Sequence, residues 1–214
     1  DDVWTVETAN LFRLGGPNCA CIFTTRLTKI ASEFAPEAVA QIPELGTEEG
    51  IRLLSTLAPL AVQPKKDEMA ALVEAVGGLP LALTLMGRHL RQQGAQSRRL
   101  QNSLEQLKET QNRLQLSQPL SPLGQSAASV ESTTPVTLQA ILDVSYVSLP
   151  QKAQQALHTL ALFPSKPGSF SDEAAMAVLE ENIEDLDTLV DYGLLENVGV
   201  DRYSMHQVIA DFAG

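Results

Sequence analysis

Two adjacent carboxylates and a later arginine are the residues of this chain best suited to phosphate chemistry. Asp1 and Asp2 could bind a hydrated Mg²⁺ ion and orient a water molecule for attack on phosphorus. Arg26 follows Thr24-Thr25 at the carboxyl end of an apolar segment, and its planar fork of donors suits a terminal phosphate. Each feature alone is also common, the acids in solvated turns and the arginine at a strand end. They therefore indicate a site only together with other motifs.

Two further candidates lie where helices are predicted to begin. In Gly77-Gly78-Leu79-Pro80, glycine can end one helix and proline begin the next, which is what any tight helix junction uses. His206 comes between a predicted hairpin and the last predicted helix, where an imidazole donor and a helix N-terminus favour an anion. A lone histidine is more often an ordinary polar residue, and His89 and His158 have no partner that the sequence indicates.

The first part of the chain has the pattern of α/β structure. Thr5 is predicted to cap a short helix that ends at Gly15-Gly16-Pro17. Residues 19–25 are apolar on both faces, which is typical of a strand buried in a parallel sheet, and a second strand is predicted at residues 39–42. Cys19 and Cys21 are then predicted to be buried packing residues of the first strand, since they can neither form a disulfide comfortably nor find two more metal ligands nearby. Residues 1–46 are therefore interpreted as the trailing edge of a doubly wound sheet.

Residues 47–116 are predicted to form a helical subdomain, because apolar residues recur there at helical spacing. The third predicted helix begins at Pro80, and a longer amphipathic segment follows over residues 100–114. The apolar stripes of the first three helices are Ile51, Leu54, Leu57 and Ala58; Met69, Leu72, Val73 and Val76; and Leu83, Met86 and Leu90.

Residues 117–136 are predicted to be a linker or disordered loop, since they are rich in Ser, Pro, Gln and Gly without apolar periodicity. Helical periodicity returns over residues 137–214, with Ser171 as a predicted helix cap. Two short strands, 194–198 and 202–205, face each other across Gly199-Val200-Asp201. Helices followed by such a hairpin are typical of a winged helix. The predicted fold class is therefore mainly α with a residual α/β piece.

The charge of the chain disfavours nucleic acid as a partner. The formal net charge is −11, and residues 137–214 hold 3 basic and 12 acidic side chains, a net charge of −9. Nucleic-acid affinity comes largely from lysine and arginine, so the acidic part is a poor duplex binder. No apolar run approaches the roughly 20 residues of a membrane span. With only two cysteines, the composition favours a soluble protein in a reducing cytoplasm.

A phosphate-binding loop of the form G-x-x-x-x-G-K-S/T is absent, because no glycine of the sequence is followed by lysine. There is also no initiator Met, and the last residues have a helical pattern. The chain is therefore interpreted as an internal piece of a longer protein.

Four motifs in fixed order resemble those of NB-ARC domains, the STAND class of P-loop signalling ATPases. Asp1-Asp2-Val3-Trp4 resembles the second Walker box, and residues 21–26 resemble the first sensor strand. Residues 77–83 resemble the GLPL motif, and Ser204-Met205-His206 resembles the MHD-type motif. The resemblance covers nearly the whole chain. It implies a truncated P-loop nucleotide-binding sheet, a helical subdomain and a winged-helix domain.

The resemblance also implies roles for individual residues, with ATP or ADP and Mg²⁺ as cofactors of the intact protein. Asp1 is expected to bind the metal and Asp2 to act in catalysis. Arg26 is expected to sense the γ-phosphate, Pro80 to pack against the adenine or ribose, and His206 to reach the β-phosphate of ADP.

The function implied is that of an ATP/ADP-dependent switch whose closed state is held by ADP, with partners in the same protein. These are an N-terminal P-loop segment and a C-terminal sensor domain, and the resemblance leaves an oligomer on activation as an open alternative. The parent resembles a slow ATPase, whereas this chain is expected to be inactive alone. Two alternatives remain: a winged-helix DNA-binding regulator, and an interaction module without nucleotide use. Gln207, which replaces the usual acid of the last motif, favours the second of these.

Overall fold

The computed structural model describes residues 2–16, 18–62, 66–93, 133–179 and 183–214, and also residues 102, 105, 106 and 109. Within these ranges the chain is mainly helical with one small sheet, as predicted, and every helix is too short or too polar to cross a bilayer. The chain divides into two compact units, Asp1–Pro43 and Glu44–Gly214. Asp1, most of the segment predicted over residues 100–114 and the predicted linker up to residue 132 lie outside the described residues.

The first unit contains two short helices, α1 (Val6–Leu11) and α2 (Thr28–Phe34). Thr5 caps α1 as predicted, since its hydroxyl accepts a hydrogen bond from the Thr8 N–H at 3.1 Å. The edge of the Phe23 ring packs against Phe34, with ring centroids 4.6 Å apart. The buried apolar residues of this unit are few: Val3, Ala9, Ile30 and Phe34.

The strands predicted at residues 19–25 and 39–42 are not formed in the structure. Ile22 is 95% exposed and Ile42 is 90% exposed. Cys19 and Cys21 are exposed too, so the prediction that they are buried was wrong. A segment that is apolar on both faces forms a stable strand only where neighbouring strands pair with it and cover both faces. Here the Val3 N–H donates to the Thr24 carbonyl at 2.8 Å. A single backbone hydrogen bond does not make the ladder that pairs two strands.

Helices α3 (Thr47–Leu57), α4 (Pro59–Val62), α5 (Lys66–Ala75) and α6 (Pro80–Gln93) begin the second unit. Their predicted apolar stripes are largely buried, which confirms the helical periodicity. The stripe residues that are at most 3% exposed are Leu54, Ala58, Met69, Leu72, Val73, Val76, Leu83, Met86 and Leu90.

Over the described residues after 132, the second unit contains five more helices: α7 (Thr133–Val147), α8 (Gln151–Leu160), α9 (Asp172–Val178), α10 (Ile183–Tyr192) and α11 (Gln207–Ala213). Helix α7 begins four residues before the predicted boundary at residue 137, inside the stretch predicted as linker. Ser171 caps α9 as predicted, because its hydroxyl accepts from the Ala174 N–H at 3.2 Å.

Three short strands form an antiparallel sheet in the order β1-β3-β2. They are β1 (Phe170–Ser171), β2 (Glu196–Gly199) and β3 (Arg202–Ser204). The predicted hairpin of β2 and β3 is confirmed, and Asp201 takes the positive φ of 52° that its turn requires. Strand β1 was not predicted, because two residues are too few for a period-2 pattern.

One continuous hydrophobic core contains residues of the helices up to residue 93 and of the helices after residue 132. Helix α6 packs against α3, α7 and α10. Polar contacts add to this packing: the Arg88 guanidinium donates to the Val190 carbonyl, and Arg91 lies 3.1 Å from the Asp191 carboxylate. The predicted helical and winged-helix parts therefore belong to one compact unit in the structure.

Candidate functional site

Hydrogen bonds join Asp2 and its neighbour Val3 to two threonines of the first unit. Its N–H donates to the Thr24 hydroxyl at 2.8 Å, and the Thr25 hydroxyl donates to the Val3 carbonyl at 2.6 Å. The φ of Asp2 is 51°, in the left-handed region where aspartate is one of the few non-glycine residues found regularly. Thr24 and Thr25 thus hold the backbone that carries the Asp2 side chain.

Arg26 contacts two side chains of the segment around Asp2. Its Nε lies 3.3 Å from the Asp2 carboxylate, and its guanidinium carbon lies 5.5 Å from the centre of the Trp4 ring. The Arg26 side chain is 73% exposed and that of Asp2 is 46% exposed. An ion pair with this exposure contributes roughly 0.2–1 kcal/mol, and a cation–π contact at an exposed site about 0.5–1 kcal/mol. The arginine is therefore oriented but remains accessible to an anion.

The fit of Mg²⁺ to these residues rests on Asp2, because Asp1 lies outside the described residues. In the described part of the chain, no group of three or more His, Cys, Asp or Glu side chains is arranged to hold a metal ion. Magnesium commonly uses one or two carboxylates together with phosphate oxygens and water. The Asp2 carboxylate could serve as one of these, and in the structure it is paired with Arg26.

Pro80 occupies the first position of α6, directly after a tight junction. Gly77 and Gly78 end α5 with φ of 62° and 67°, values that only glycine adopts readily. The Gly78 N–H donates to the Val73 carbonyl, and the Gly78 carbonyl accepts from the Leu45 N–H, both at 3.0 Å. Pro80 itself is exposed, so its ring is available for contact with a ligand.

His206 is the N-cap of α11, immediately after the β2–β3 hairpin. Its Nδ1 accepts a hydrogen bond from the Val208 N–H at 3.2 Å. Because Nδ1 accepts, the proton of the neutral ring is on Nε2, which makes Nε2 the donor toward any acceptor. The imidazole is half-buried, and its orientation is set by the first turn of the helix.

Gln207, at the position where the resemblance would place an acid, makes two side-chain hydrogen bonds. Its carbonyl oxygen accepts from the Ser165 hydroxyl, and its amide donates to the Asp211 carboxylate at 2.7 Å. An acid at this position could accept from Ser165 but could not donate to Asp211, and it would repel that carboxylate. Glutamine therefore suits the local hydrogen bonding of this chain.

The four described candidates lie in two groups. Asp2 and Arg26 form an ion pair in the first unit, although 23 residues lie between them in the sequence. Pro80 and His206 lie in the second unit, each at the start of a helix.

Trp4 and His158 make contacts that were not predicted from the sequence, and His89 is buried. Trp4 lies against Arg26, and the only signal for it was its position in the first motif. His158 bonds to the Tyr146 hydroxyl at 2.9 Å and to the Ala213 carbonyl, which joins α7, α8 and α11. His89 is 1% exposed, and burial lowers its pKa because the charged ring is desolvated.

The surroundings of the hairpin are acidic. The pKa of Tyr203 on β3 is raised by burial first, and then by Asp172, Asp187 and Asp201. Helix α10, which precedes the hairpin, contains no lysine or arginine. Its acidic residues are Glu184, Asp185, Asp187 and Asp191. This surface would repel a phosphate backbone rather than attract one.

The chain matches no protein-family model, and a search of curated proteins returns no relative.

Proposed function

We propose that the chain is the C-terminal portion of an ATP/ADP-dependent switch of the NB-ARC type, in which bound ADP holds the closed state. His206 donates to the β-phosphate of ADP, and Pro80 packs against the base or ribose. Arg26 recognises the terminal phosphate of ATP, and Asp2 orients the attacking water. A nucleotide shifts closed and open populations only as far as it binds one state better than the other.

The order of elements around His206 is the observation that carries this proposal. Helix α8 is followed by strand β1, helices α9 and α10, and the β2–β3 hairpin, and His206 comes directly after β3. Helix, short strand, two helices and hairpin, with sheet order β1-β3-β2, is the order of elements that the proposed winged-helix domain requires. In NB-ARC proteins the motif histidine comes directly after the hairpin of such a domain.

Two further features support the proposal. The Gly77-Gly78-Leu79-Pro80 junction connects two packed helices and leaves the proline exposed at a helix start. Asp2 and Arg26, which the proposal assigns to the same reaction, form a pair at an accessible surface of the first unit. Both features involve residues of the motifs on which the resemblance to NB-ARC domains rests.

The alternative of a DNA-binding winged helix is disfavoured by charge. Helix α10 would be the helix that enters the groove, and it has four acidic and no basic side chains. An interaction module without nucleotide use is favoured only by Gln207. The hydrogen bonds of Gln207 to Ser165 and Asp211 give that residue a local structural role instead.

The first experiment is to translate the coding sequence directly upstream of Asp1. The proposal requires a G-x-x-x-x-G-K-S/T loop there, because the phosphates need a cradle of backbone N–H groups and a lysine. An upstream sequence without such a loop would rule out the proposal.

The second experiment measures ADP affinity by calorimetry in the protein extended to include that loop. Replacing His206 by Ala removes a charge-assisted hydrogen bond and should weaken ADP binding about tenfold or more. ATP affinity should fall less, because ATP does not depend on the closed state. His89→Gln, a change remote from the motif in sequence, is the control. Equal ADP affinities of the parent and His206→Ala would refute the proposed role.

The present chain should bind ADP more weakly than micromolar, since the phosphate cradle is missing from it. The same calorimetric titration on residues 1–214 tests this, and micromolar or tighter binding would contradict it.

A further inference from the structure

We propose that Arg26 exchanges between two anions: it pairs with Asp2 when no ligand is bound and transfers to the terminal phosphate of a bound nucleoside polyphosphate. The exchange frees the Asp2 carboxylate at the moment the phosphate arrives. The identity of this ligand rests on the proposed function, whereas the exchange itself is a property of the Asp2, Trp4 and Arg26 side chains.

The partners of this exchange differ in freedom of movement. The backbone of Asp2 is held by the Thr24 hydroxyl, and the neighbouring Val3 carbonyl is held by the Thr25 hydroxyl. Asp2 has a short side chain on this fixed backbone. Arg26 has a long, flexible stem and is 73% exposed. The arginine is therefore the partner that moves when a competing anion approaches.

The strength of the ion pair suits an exchange. An exposed pair of this kind shifts an equilibrium by a factor of only about 1.4 to 5. A terminal phosphate carries more negative charge than a carboxylate and accepts two parallel N–H bonds from a guanidinium. Phosphate should therefore displace Asp2, although Asp2 still lowers the affinity of Arg26 for it.

The fluorescence of Trp4 should report the position of the Arg26 guanidinium. Its ring is 55% exposed, and the guanidinium carbon lies 5.5 Å from the ring centre. It is the only tryptophan of the chain, so the fluorescence of the protein above the tyrosine contribution comes from this residue. When Arg26 leaves Asp2, the charge beside the indole moves and the emission changes.

The consequence for the reaction is a link between phosphate recognition and the catalytic carboxylate. The Arg26 Nε contacts one oxygen of the Asp2 carboxylate, Oδ1, so the pair occupies part of the acceptor capacity of this group. Transfer of Arg26 to the phosphate leaves the carboxylate able to accept a hydrogen bond from a water molecule.

The test is a titration of the full 214-residue chain with tripolyphosphate, followed by Trp4 emission. Sodium chloride at matched ionic strength is the reference, because salt alone screens an exposed pair. We expect a saturable change with tripolyphosphate and only a gradual drift with chloride. Arg26→Gln should abolish the saturable change. Asp2→Asn, which keeps a side chain that tolerates positive φ, should tighten binding about 1.4- to 5-fold.

Two matched variants separate the exchange from general charge effects. Glu33→Gln removes one exposed negative charge from the same unit and should tighten binding less than Asp2→Asn. Arg13→Gln removes an arginine that lies over Phe34 and should leave the Trp4 response intact.

The exchange would be overturned by an unsaturable response of the wild-type chain, or by Asp2→Asn and Glu33→Gln having equal effects. Neither result depends on ADP or His206. A saturable response that depends on Arg26 and Asp2, combined with failure of the His206→Ala experiment, would reject the proposed switch and retain the exchange.

Discussion

The units Asp1–Pro43 and Glu44–Gly214 contain similar kinds of apolar residues but differ in how many of them are buried. In the second unit, the stripes of successive helices meet in one core. Among the described residues of the first unit, four apolar residues are buried and several large ones face solvent. The most exposed of these are Leu11, Phe12, Leu14, Ile22 and Ile42.

The difference shows how burial depends on the availability of a partner surface. A helix stripe is covered by the next helix along the chain, which a short loop can bring into place. The residues around Ile22 read as a strand, and a buried strand needs other strands on both sides. Apolar side chains contribute about 25 cal/mol per Å² only for area that is removed from water.

The two units also use hydrogen bonds differently. In the first unit, the hydroxyls of Thr5, Thr24 and Thr25 hold short segments together at exposed or partly exposed positions. In the second unit, buried helices are supplemented by contacts such as that of Arg88 with the Val190 carbonyl. We therefore expect the second unit to contain most of the stability of the chain.

The largest effect should come from removing a core side chain of the second unit. Leu157 is fully buried, so Leu157→Ala should lower the free energy of unfolding by about 2–5 kcal/mol. Ile22→Ala in the first unit should change it by less than about 0.5 kcal/mol, because Ile22 is 95% exposed. Urea unfolding followed by circular dichroism measures both. Similar losses for the two variants would mean that the contrast between the units is false.

A backbone effect of intermediate size is expected at the glycine junction. A Cβ at Gly78 would lie 2.2 Å from the Leu45 carbonyl oxygen, and the φ of 67° is strained for alanine. Gly78→Ala should therefore cost about 2–4 kcal/mol. Gly77→Ala is the matched control: its φ is 62°, but nothing lies within 4 Å of the added Cβ. It should cost about 1–2 kcal/mol, from the backbone strain alone.

Thermal or urea unfolding of the two glycine variants measures the difference between them. A larger loss for Gly77→Ala than for Gly78→Ala would show that the contact with Leu45 does not shape this junction.

The smallest effect is a histidine-linked pH dependence, which is confined to the second unit because residues 1–43 contain no histidine. Burial lowers the pKa of His89, so the folded chain keeps this ring neutral where the unfolded chain binds a proton. The free energy of unfolding is then unaffected above the unfolded pKa of about 6.5 and falls as the pH decreases below it. The limiting slope for one proton is about 1.4 kcal/mol per pH unit.

The measurement compares urea unfolding of the wild type and His89→Gln between pH 7.5 and 5.5. The wild type should lose stability relative to the variant as the pH falls, because the carboxylates common to both cancel. Trp4 emission, which reports on the first unit, should show no such difference. Parallel pH profiles of the two proteins would exclude this role of His89.

Much of the helical architecture was predictable from local pattern. The stripe of Met69, Leu72 and Val73 and the stop at Gly77 specify α5 by themselves, because helical hydrogen bonds are made within the segment. The caps Thr5 and Ser171 are likewise local. Strand β1 and the absence of strands at residues 19–25 and 39–42 were not predictable, since strand formation depends on distant partners.

The candidate site was predictable as a set of residues but not as an arrangement. Asp2 and Arg26 were chosen for the chemistry of their side chains, and the sequence contained no indication that they pair with each other. The contact of Trp4 with Arg26 and the capping of α11 by His206 Nδ1 also follow from three-dimensional proximity.

Residue types and their periodicity by themselves determined the positions of most described helices, the hairpin, the net negative charge and the choice of candidate residues for phosphate binding. Tertiary structure alone decided which apolar segments are buried, whether residues 19–25 become a strand, and which carboxylate lies beside Arg26. The physical reason is one of range: helical bonds, caps and turns join residues a few positions apart. Burial and ion pairing join residues that only the folded chain brings into contact.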